Sequence, residues 1–493
     1  MITVQDLMRE SGVAFGTSGA RGMVAAMTDR VCYGYTSGFL RYMAEQGEFQ
    51  RGGAVALAGD LRPSTPRILA ACAAAIRDAG GMPVFCGYVP TPALALYAFA
   101  KGMPSLMVTG SHIPADRNGI KFYRSAGELL KPDEAGMSRQ TLDLGGGRFA
   151  DSGMLAVAEA LPPVTDVEDA YVRRYLDHFG AGALSGKRIG IYQHSAVGRD
   201  ILARIVKELG AEIALLGRSE TFVPVDTEAI RPEDIALARE WAAGGDFDAI
   251  ISTDGDSDRP LIADETGKWL RGDVLGILCA ERVEATSVVT PVSSNTALER
   301  SGRFATCRRT RIGSPYVIAA MSEELASGSA RVCGYEANGG FLLGSAIPGA
   351  HGSTTTALPT RDAVLPILAV LTAGAPSVSA QLGSLPKRFT FSDRITPFPQ
   401  SASEELLARL LAGEAAAQLA EQTRLFGSFA GHAQTLDLTD GIRAMFDSGV
   451  IIHLRPSGNA PELRCYTEAG SEAAAIAANQ HAIAAIRGMN QPG

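Results

Sequence analysis

Short runs of β-branched and other apolar residues alternate along most of the chain with longer, alanine-rich stretches of helical character. The first unit has apolar runs at residues 54–58 and 82–85, separated by a helical stretch at residues 67–79. The pattern returns over residues 187–209 and again from residue 287 onward. Such alternation predicts βαβ units in a parallel or mixed sheet. The sequence therefore predicts an α/β fold with three related mixed α/β domains.

The last part of the chain has a different pattern. It contains two strand-like runs and two helical stretches, at residues 389–393, 450–454, 404–411 and 472–487. This mixture predicts a smaller C-terminal α+β domain. Proline, glycine and serine gather at three breaks, which predict domains at residues 1–162, 163–270, 271–387 and 388–493.

One serine follows a predicted strand in a way that suggests chemistry. Ser111 comes directly after Gly110 and the apolar residues 106–108. The glycine permits a sharp turn that would hold the hydroxyl at the carboxyl end of a sheet, where open α/β folds bind ligands. An ordinary turn serine is the alternative. Asp60 and Arg62, after the first predicted strand, are lesser candidates for supporting this loop, with an interdomain ion pair as the alternative.

Three aspartates, Asp254, Asp256 and Asp258, alternate directly after another predicted strand. Carboxylates this close repel one another unless a cation lies among them, and Mg²⁺ prefers oxygen ligands. A calcium EF-hand is excluded because Arg259 stands where that loop requires glycine and a strand precedes it. The sequence has no His/Cys cluster with zinc spacing. The pattern predicts a magnesium site, with a solvated acidic turn as the alternative.

Three further loops carry groups that suit anions or sugar hydroxyls. Residues 15–22 form a glycine-rich segment around Arg21, which predicts a loop that approaches an anion. Glu336 and Asn338 offer a carboxylate and an amide among glycines. Residues 455–464 predict a phosphate clamp that contains Arg455, Ser457, Gly458, Asn459 and Arg464. A hairpin turn with exposed arginines is the alternative for this last loop.

Composition and charge narrow the class of protein. The chain has 493 residues, 46% of them hydrophobic, which is enough for several cores, and its formal net charge of -8 argues against a general nucleic-acid binder. Its seven cysteines form no CxxC pair, as is typical of a reduced cytoplasmic protein. The start lacks the features of a secretory signal, and no uncharged apolar run reaches the roughly 18 residues of a membrane span. We expect a cytoplasmic protein without nucleic-acid or membrane partners.

The order of these five loops resembles the α-D-phosphohexomutase family over nearly the whole chain. The family comprises phosphomannomutases, phosphoglucomutases and phosphoglucosamine mutases. The resemblance implies four domains around a central active-site cleft, a phosphorylated Ser111, and a magnesium ion held by Ser111, Asp254, Asp256 and Asp258. It also implies that Glu336 and Asn338 read the sugar and that the loop from Arg455 to Arg464 binds the substrate phosphate.

The same resemblance gives roles to several basic residues. Lys121 matches the position of a candidate general acid or base, and Arg21 matches a second basic position. Arg259 is expected near the phosphoserine or the metal. His112, next to the nucleophile, either orients it or binds phosphate, or is only a structural donor.

Three departures from the family pattern bear on substrate identity. Asn338 replaces the usual serine of the sugar loop, Gly340 replaces a histidine found in many members, and Asn459-Ala460 replaces the threonine and glutamate of the phosphate loop. Asparagine still bonds a hydroxyl or a phosphate, but glycine offers no substitute for an imidazole. Reaction type is therefore predicted more firmly than the sugar.

The implied reaction moves a phosphoryl group between C1 and C6 of a hexose monophosphate, through a sugar bisphosphate, with Mg²⁺ and a hexose 1,6-bisphosphate as activator. The loop variants are most like those of bacterial phosphomannomutases, which favours mannose phosphate over glucose or glucosamine phosphate. A magnesium-dependent sugar-phosphate phosphatase and a non-catalytic sugar-phosphate sensor are the alternatives from other classes. The second phosphate loop argues against the phosphatase. We expect a monomer or a homodimer.

Overall fold

The structure is a computed structural model and describes residues 1–16, 18–457 and 461–489. The first unit is a seven-stranded mixed sheet flanked by helices, with its first and last strands paired as a separate ribbon. Its elements are β1 (Ile2–Thr3), α1 (Val4–Ser11), β2 (Ala14–Phe15), β3 (Ala20–Met23), α2 (Asp29–Glu45), β4 (Ala54–Gly59), α3 (Thr65–Asp78), β5 (Met82–Phe85), α4 (Thr91–Lys101), β6 (Ser105–Val108), β7 (Arg117–Arg124), β8 (Gly127–Glu128), α5 (Lys131–Ser138) and β9 (Thr141–Leu142).

The next two units are also mixed sheets covered by helices. The second contains α6 (Glu168–Phe179), β10 (Arg188–His194), α7 (Arg199–Glu208), β11 (Glu212–Arg218), α8 (Pro232–Gly245), β12 (Ala249–Thr253) and β13 (Pro260–Ala263). The third contains α9 (Gly272–Arg282), β14 (Ser287–Pro291), α10 (Ala297–Arg300), β15 (Thr306–Thr310), α11 (Ser314–Ala326), β16 (Val332–Tyr335), β17 (Phe341–Leu343), β18 (Ile347–Pro348), a 3₁₀ turn (Ala350–Gly352), β19 (Thr354–Thr355), β20 (Leu358–Asp362), α12 (Val364–Leu371) and α13 (Val378–Leu382).

The fourth unit is a five-stranded antiparallel sheet with helices on it. Its elements are β21 (Phe389–Ile395), α14 (Gln400–Leu410), α15 (Ala415–Ala430), β22 (Ala433–Asp437), β23 (Ile442–Phe446), β24 (Ile451–Pro456), β25 (Leu463–Ala469) and α16 (Glu472–Met489). The strand order β21-β25-β24-β23-β22 has only antiparallel neighbours. Helix α15 and strands β22, β23 and β25 go beyond the two helices and two strands that the sequence predicts here.

The first three sheets share one four-stranded arrangement. Their strand orders are β5-β4-β6-β7, β11-β10-β12-β13 and β15-β14-β16-β17. In each, the first three strands are parallel and the fourth is antiparallel to the third. Parallel neighbours require a crossover, and helices supply it in each unit. The prediction of three related mixed α/β domains followed by a smaller α+β domain is confirmed.

This arrangement places three loops in equivalent positions. The chain leaves the third strand, β6, β12 or β16, and turns back into the antiparallel fourth strand. Ser111 lies in the first of these turns, the three aspartates in the second and Glu336 in the third. Buried packing holds the three units together, because one hydrophobic cluster runs from Ala56 through Ile251 to Val288.

Two further features of the packing are a buried helix in the third unit and a separate core in the fourth unit. Helix α12 is buried along its whole length because it packs against α9 and β13. Its residues are accordingly apolar on every side. The fourth unit has its own core around Phe426, Phe446 and Ile486. The four domain boundaries given above stay predictions.

One local prediction is corrected. The segment 15–22, predicted as a loop, is in its described part a hairpin of β2 and β3, while its role in binding an anion stays a prediction. Arg21 therefore lies in a strand, directly opposite Gly119 of β7. The strand forms because β3 extends the edge of the first sheet beside β7.

Among the helices of the described ranges, none is both long and apolar enough to cross a membrane.

Candidate active site

The serine loop holds its hydroxyl in a buried, strained turn. Ser111 is 0% exposed, and its backbone adopts φ 57°, a left-handed conformation that is uncommon for a residue other than glycine. Its amide donates to Thr109 Oγ1 over 2.8 Å. Its hydroxyl donates to Asp254 Oδ2 over 2.5 Å. The turn therefore aims the Ser111 hydroxyl at the acidic loop of the second unit.

A buried arginine of the first unit holds the serine loop in place. Arg62 is 1% exposed, and its guanidinium donates to four backbone carbonyls of this loop, those of Ser111, Ile113, Pro114 and Arg117, at 2.5–3.0 Å. Asp60 accepts a further bond from Arg62 Nε at 3.1 Å. A Cβ atom at Gly110 would lie 2.6 Å from Arg62 Cζ, so only glycine fits there. Arg62 therefore supports the loop, as the sequence suggested, through an ion pair within its own unit.

The acidic loop brings three carboxylates together. Asp254, Asp256 and Asp258 are all 0% exposed, and one oxygen from each lies within 4.8 Å of the others. Lys121 Nζ, from β7 of the first unit, donates to Asp256 Oδ2 and Asp258 Oδ2 over 2.5 Å each. Lys121 itself is 2% exposed. A buried cation from one unit therefore neutralises part of the acidic cluster of the next.

The pKa shifts of this cluster follow from burial and charge. Burial, and then the charges of Asp256 and Asp258, raise the pKa of Asp254 well above its usual value. Burial also acts to raise the pKa of Asp256, but Lys121 outweighs it and holds that pKa well below the usual range. Crowding of the three carboxylates and the nearby cations therefore shift the pKa values of the cluster in opposite directions.

The carboxylate oxygens that remain fit a divalent cation. Asp256 Oδ1 and Asp258 Oδ1 are buried and have no hydrogen-bond partner among the described residues. Buried acceptors without a partner are costly, so each calls for a donor or a cation. With Asp254 and the Ser111 hydroxyl beside them, the donors are all oxygens, the set that Mg²⁺ prefers.

His112 is held as a neutral ring. Arg259 Nη1 lies 2.8 Å from His112 Nδ1, and because a guanidinium only donates, Nδ1 must accept. The other ring nitrogen, Nε2, then carries the proton and lies 3.8 Å from Asp226 Oδ2. Burial, followed by the charge of Arg259, lowers the pKa of His112 to about 3. Ser111 Oγ lies 3.4 Å from Nδ1, at the edge of hydrogen-bond range.

The basic residues converge on the same place. Arg21 pairs with Gly119 across β3 and β7, which puts it on the face of the sheet that also carries Lys121. Burial, followed by the charges of Arg259 and Arg361, lowers the pKa of Arg21 to about 10. Cations this close repel one another, and an anion among them relieves the repulsion. The site therefore combines an acidic cluster with a group of cations, Arg21, Arg259 and Arg361.

The sugar loop is a tight turn around one carboxylate. Glu336 is 4% exposed, and its Oε2 accepts a bond from Arg361 Nη1 over 3.1 Å. Asn338 Oδ1 accepts from the amide of Gly340 over 2.9 Å, and the Asn338 carbonyl accepts from Thr227 of the second unit. Asn338 is therefore engaged in holding the turn.

The close approach of Arg361 explains why residue 340 is glycine. A Cβ atom there would lie 2.5 Å from Arg361 Cδ, inside any normal contact. Arg361 thus fills the space that a side chain at position 340 would take. The neighbouring Tyr335 ring packs in the same way against Gly276, where a Cβ would lie 2.3 Å from the ring.

The phosphate loop belongs to the fourth unit and connects β24 to β25. Arg455 Nε donates to Asp440 Oδ2 over 2.8 Å, and the same carboxylate oxygen accepts the amide of Ile312 from the third unit. Arg464 Nε donates to Glu462 over 3.0 Å, and its charge reaches Glu228 of the second unit. Ser457 is buried at the start of the loop. The predicted residues Gly458 and Asn459 lie outside the described residues.

Two residues of the site are difficult to identify from the sequence. Arg62 was only a lesser candidate, because its acceptors are backbone carbonyls that no motif reveals. Arg361 was not identified at all, although an arginine in a strand just before the wholly apolar helix α12 is an unusual placement. A buried charge in such a position usually has a specific partner.

The chain matches four family profiles in order. They are described as the alpha/beta/alpha domains I, II and III of phosphoglucomutase/phosphomannomutase, at residues 12–142, 169–267 and 271–389, and the C-terminal domain, at residues 406–486. The chain belongs to the phosphoglucomutase/phosphomannomutase family. Within it, phosphomannomutases from Sinorhizobium fredii and Salmonella muenchen are each 44% identical to this chain, over 94% and 95% of it and over 96% and 94% of their own lengths.

More distant relatives carry other names. A phosphoglucosamine mutase from Symbiobacterium thermophilum is 29% identical over 72% of this chain and 78% of its own. Among solved structures, a phosphoglucomutase/phosphomannomutase family protein from Burkholderia thailandensis superposes with a TM-score of 0.72 at 20% identity, over 99% of this chain and 98% of that one. An N-acetylphosphoglucosamine mutase from Aspergillus fumigatus, in complex with GlcNAc-6P and magnesium, gives a TM-score of 0.57 at 13% identity and full coverage of both chains. These structural likenesses show the shared fold.

Proposed function

We propose that this chain is a phosphohexomutase that interconverts mannose 1-phosphate and mannose 6-phosphate. The observation that carries the proposal is the position of the Ser111 hydroxyl, buried and bonded to Asp254 beside a cluster of carboxylates and cations. The choice of mannose rests on the two phosphomannomutases at 44% identity. Glucose and glucosamine phosphates are the alternative substrates.

In the proposed cycle Ser111 carries the phosphoryl group. A hydroxyl oxygen of the sugar monophosphate attacks the phosphorus, the bond from phosphorus to Ser111 Oγ breaks, and a hexose 1,6-bisphosphate forms. The bisphosphate turns in the cleft, and Ser111 Oγ takes back the other phosphoryl group. A hexose 1,6-bisphosphate supplied from outside acts as the activator because it phosphorylates Ser111. Lys121 is the proposed group for the proton transfer: as the ammonium it donates a proton to the departing Ser111 oxygen, and as the amine it accepts the proton of the attacking hydroxyl.

The neutral ring of His112 is suited to positioning. Its Nδ1 accepts from Arg259, so we propose that it orients the arginine toward the phosphoryl group. The ammonium of Lys121 sits between Asp256 and Asp258, which suits a proton donor close to the acidic loop. Arg21 and Arg259 form the proposed anion rim around the phosphoryl group.

We propose that Ser111, Asp254, Asp256 and Asp258 hold a magnesium ion. The buried Oδ1 atoms of Asp256 and Asp258 support this, because neither accepts a hydrogen bond in the described part of the chain, and Asp258 Oδ1 has only an ion pair with Arg259 Nε at 3.8 Å. When bound, the ion neutralises charge on the phosphoryl group in transfer. The protein residues fix the nucleophile against the same cluster, through the bond from Ser111 to Asp254.

The remaining contacts are assigned to the substrate. Glu336 is the proposed acceptor for sugar hydroxyls, with Asn338 holding the turn beside it. Arg455, Ser457 and Arg464 are the proposed phosphate ligands, together with Gly458 and Asn459. The closeness of Arg464 to Glu228 supports a phosphate loop that faces the second unit across the cleft. Both a monomer and a homodimer remain compatible with this arrangement.

A ³¹P NMR time course tests the proposal. The enzyme is given mannose 1-phosphate, glucose 1-phosphate or glucosamine 1-phosphate, each with magnesium and a trace of the matching bisphosphate. We expect the mannose 6-phosphate signal to appear fastest. Release of inorganic phosphate alone would instead identify a phosphatase, which would not need the second phosphate loop from Arg455 to Arg464.

Two serine variants sharpen the experiment. Ser111→Ala removes the phosphoryl acceptor and is expected to abolish conversion. Ser403→Ala is the matched control, because Ser403 is equally buried in α14 and its hydroxyl has no partner in the described residues. Equal activity of the two variants would contradict a phosphoserine mechanism.

A further inference from the structure

One buried side chain joins the acidic loop to the sugar loop. Arg361 lies in β20 and is 2% exposed. Its Nε donates to Asp258 Oδ2 over 2.9 Å, and its Nη1 donates to Glu336 Oε2 over 3.1 Å. Two of the three nitrogens of this guanidinium are thus used to connect the second and third units.

The third nitrogen, Nη2, makes no hydrogen bond of this kind. Arg361 Nη2 is buried and has no hydrogen-bond partner among the described residues. Native proteins satisfy nearly all buried donors, and a guanidinium donor left unpaired is among the most costly to bury. A buried donor of this kind, beside two loops of a substrate cleft, fits the position of a ligand oxygen.

The surroundings show that this placement is built into the sequence. The side chain reaches its position only because residue 340 is glycine, since a Cβ there would lie 2.5 Å from Arg361 Cδ. Ser314 Oγ lies 3.3 Å from Arg361 Nη1 and donates in turn to Glu128, which fixes the guanidinium from the other side. The direction of Nη2 is therefore set by contacts on both sides.

The location of Nη2 also points to the class of ligand. The guanidinium is bonded to Asp258, whose carboxylate lies in the same cluster as Asp254, the partner of the Ser111 hydroxyl. Arg21 and Arg259 lie near enough for their charges to act on Arg361. Several cations close together favour a charged oxygen over a neutral one.

We propose that Arg361 is a catalytic residue whose Nη2 donates a hydrogen bond to a phosphoryl oxygen of the group that passes between Ser111 and the sugar. The inference rests on the proposed mutase function. Arg361 exchanges no proton and forms no covalent bond in this role. Its fork is fixed by Asp258 and Glu336 before the phosphoryl group arrives, so little reorganisation is needed as charge develops on the phosphoryl oxygens. A bond from Nη2 to a sugar hydroxyl is the competing outcome of the test.

The first test compares two lysine variants. Arg361→Lys keeps a positive charge beside Asp258 but removes the Nη2 donor, and we expect kcat for mannose 1-phosphate to fall about a hundredfold. Arg174→Lys is the matched control, because Arg174 is also buried but donates to Thr356, away from both loops. We expect the control to keep the wild-type kcat. A fall of less than threefold in Arg361→Lys would overturn the proposal.

The second test measures binding without turnover. In a Ser111→Ala background, calorimetric titration with mannose 1,6-bisphosphate in the presence of magnesium should show at least tenfold weaker binding when Arg361 is also changed to Lys. Titration with 2-deoxyglucose 1,6-bisphosphate, which lacks the C2 hydroxyl, should show the same loss, since the proposed bond is to phosphate. A loss confined to the sugar that carries the hydroxyl would assign Nη2 to that hydroxyl and overturn the proposal.

A third variant covers the case in which lysine disturbs the fold. If Arg361→Lys lowers the midpoint of thermal unfolding, then Arg361→Ala is assayed with and without added ethylguanidinium. A recovery of tenfold or more in kcat supports the proposal, and no recovery contradicts it. Wild-type enzyme that converts no hexose phosphate would contradict the proposed function instead, so the two failures are distinguishable.

Discussion

The acidic loop after β12 and the sugar loop after β16 occupy the same position in two copies of one four-stranded unit, yet they differ in how much charge they bring together. The acidic loop packs three carboxylates together and pairs with cations from elsewhere, namely Lys121 and Arg361, beside the proposed metal ion. The sugar loop has a single carboxylate, Glu336, which one cation, Arg361, pairs with, and its turn is held by glycine, by the bond from Gly340 to Asn338 and by Thr227 of the second unit. The scaffold therefore fixes where each loop stands, while the side chains alone decide its chemistry.

The comparison predicts its largest effect at the acidic loop. Asp256→Asn keeps the shape of the side chain but removes one of the three charges, so magnesium binding and the pairing with Lys121 both weaken. We expect conversion of mannose 1-phosphate to fall about a thousandfold. Steady-state kinetics over a magnesium titration measures this loss.

The control for this prediction lies in the same unit. Asp264→Asn changes a buried aspartate whose partners, Thr266 and Lys268, belong to its own turn. Its activity should match the wild type. If Asp256→Asn kept activity within tenfold of wild type, the acidic loop would not be the metal centre.

The corresponding change in the sugar loop should cost less. Glu336→Gln leaves an oxygen that accepts from Arg361 but loses the charged acceptor for sugar hydroxyls, so we expect kcat/KM to fall about tenfold to a hundredfold, mainly through KM. Glu324→Gln in α11, far from this turn, serves as the comparison. Equal losses from Glu336→Gln and Asp256→Asn would mean that the two loops do not differ in the way proposed.

The glycine at position 340 gives a prediction for stability. Gly340→Ala places a Cβ atom 2.5 Å from Arg361 Cδ, so the arginine or the turn must shift. We expect the free energy of unfolding to fall by about 1–3 kcal/mol, as for an overpacked core. Denaturant unfolding measures the change.

Two further variants show whether the Arg361 side chain causes this loss of stability. Adding Arg361→Ala should remove most of the cost of Gly340→Ala, because the clashing side chain is gone. Gly244→Ala in α8, where a Cβ meets nothing within 4 Å, should be neutral or stabilising. A cost of Gly340→Ala that is unchanged without Arg361 would show that the glycine serves the backbone instead.

The smallest effect concerns pH. His194 lies beneath the acidic loop, with its Nε2 2.8 Å from the carbonyl of Thr253, and burial lowers its pKa to about 4. The unfolded chain therefore takes up a proton near pH 6.5, before the folded chain does, so stability falls as the pH drops from 6.5 toward 4. At pH 5 the contribution is about 2 kcal/mol.

Denaturant unfolding at pH 7.5 and pH 5 tests this. His194→Gln keeps a donor for the Thr253 carbonyl but does not titrate, so its loss of stability at pH 5 should be smaller than that of the wild type by about 2 kcal/mol. His481→Gln, at an exposed histidine of the fourth unit that forms no ion pair among the described residues, should leave the wild-type loss unchanged. Identical pH profiles for all three proteins would show that His194 titrates normally.

How far the sequence predicts this structure depends on how local each signal is. The Ser111 turn and the three aspartates are visible because all their residues are neighbours in the chain and follow apolar runs. Arg62 and Arg361 are much harder to see, because their acceptors lie about 50 and 100 residues away or are backbone carbonyls. The contacts of Arg62 exist only once the first unit has folded, and the bond from Arg361 to Asp258 exists only once the second and third units have packed together.

The prediction of helices and strands has the same limit, because only local signals are visible in the sequence. Short apolar runs predict the central strands of the three mixed sheets well, since those strands are buried on both faces. Helix α15 was missed because only Gln422, Phe426 and Ala430 of its residues are buried, which leaves a weak apolar stripe. The segment around Arg21 reads as a loop because it is short and contains glycine, and only pairing with β7 makes it a strand.

Transfer of phosphate from Ser111 tests the central claim most directly. The enzyme is phosphorylated with mannose 1,6-bisphosphate, freed of excess ligand, analysed by peptide mass spectrometry, and then mixed with mannose 1-phosphate in a single turnover. The account predicts phosphate on Ser111 that disappears as mannose 1,6-bisphosphate and mannose 6-phosphate form. Phosphate on another residue, or its release as inorganic phosphate without a phosphorylated sugar, would contradict it.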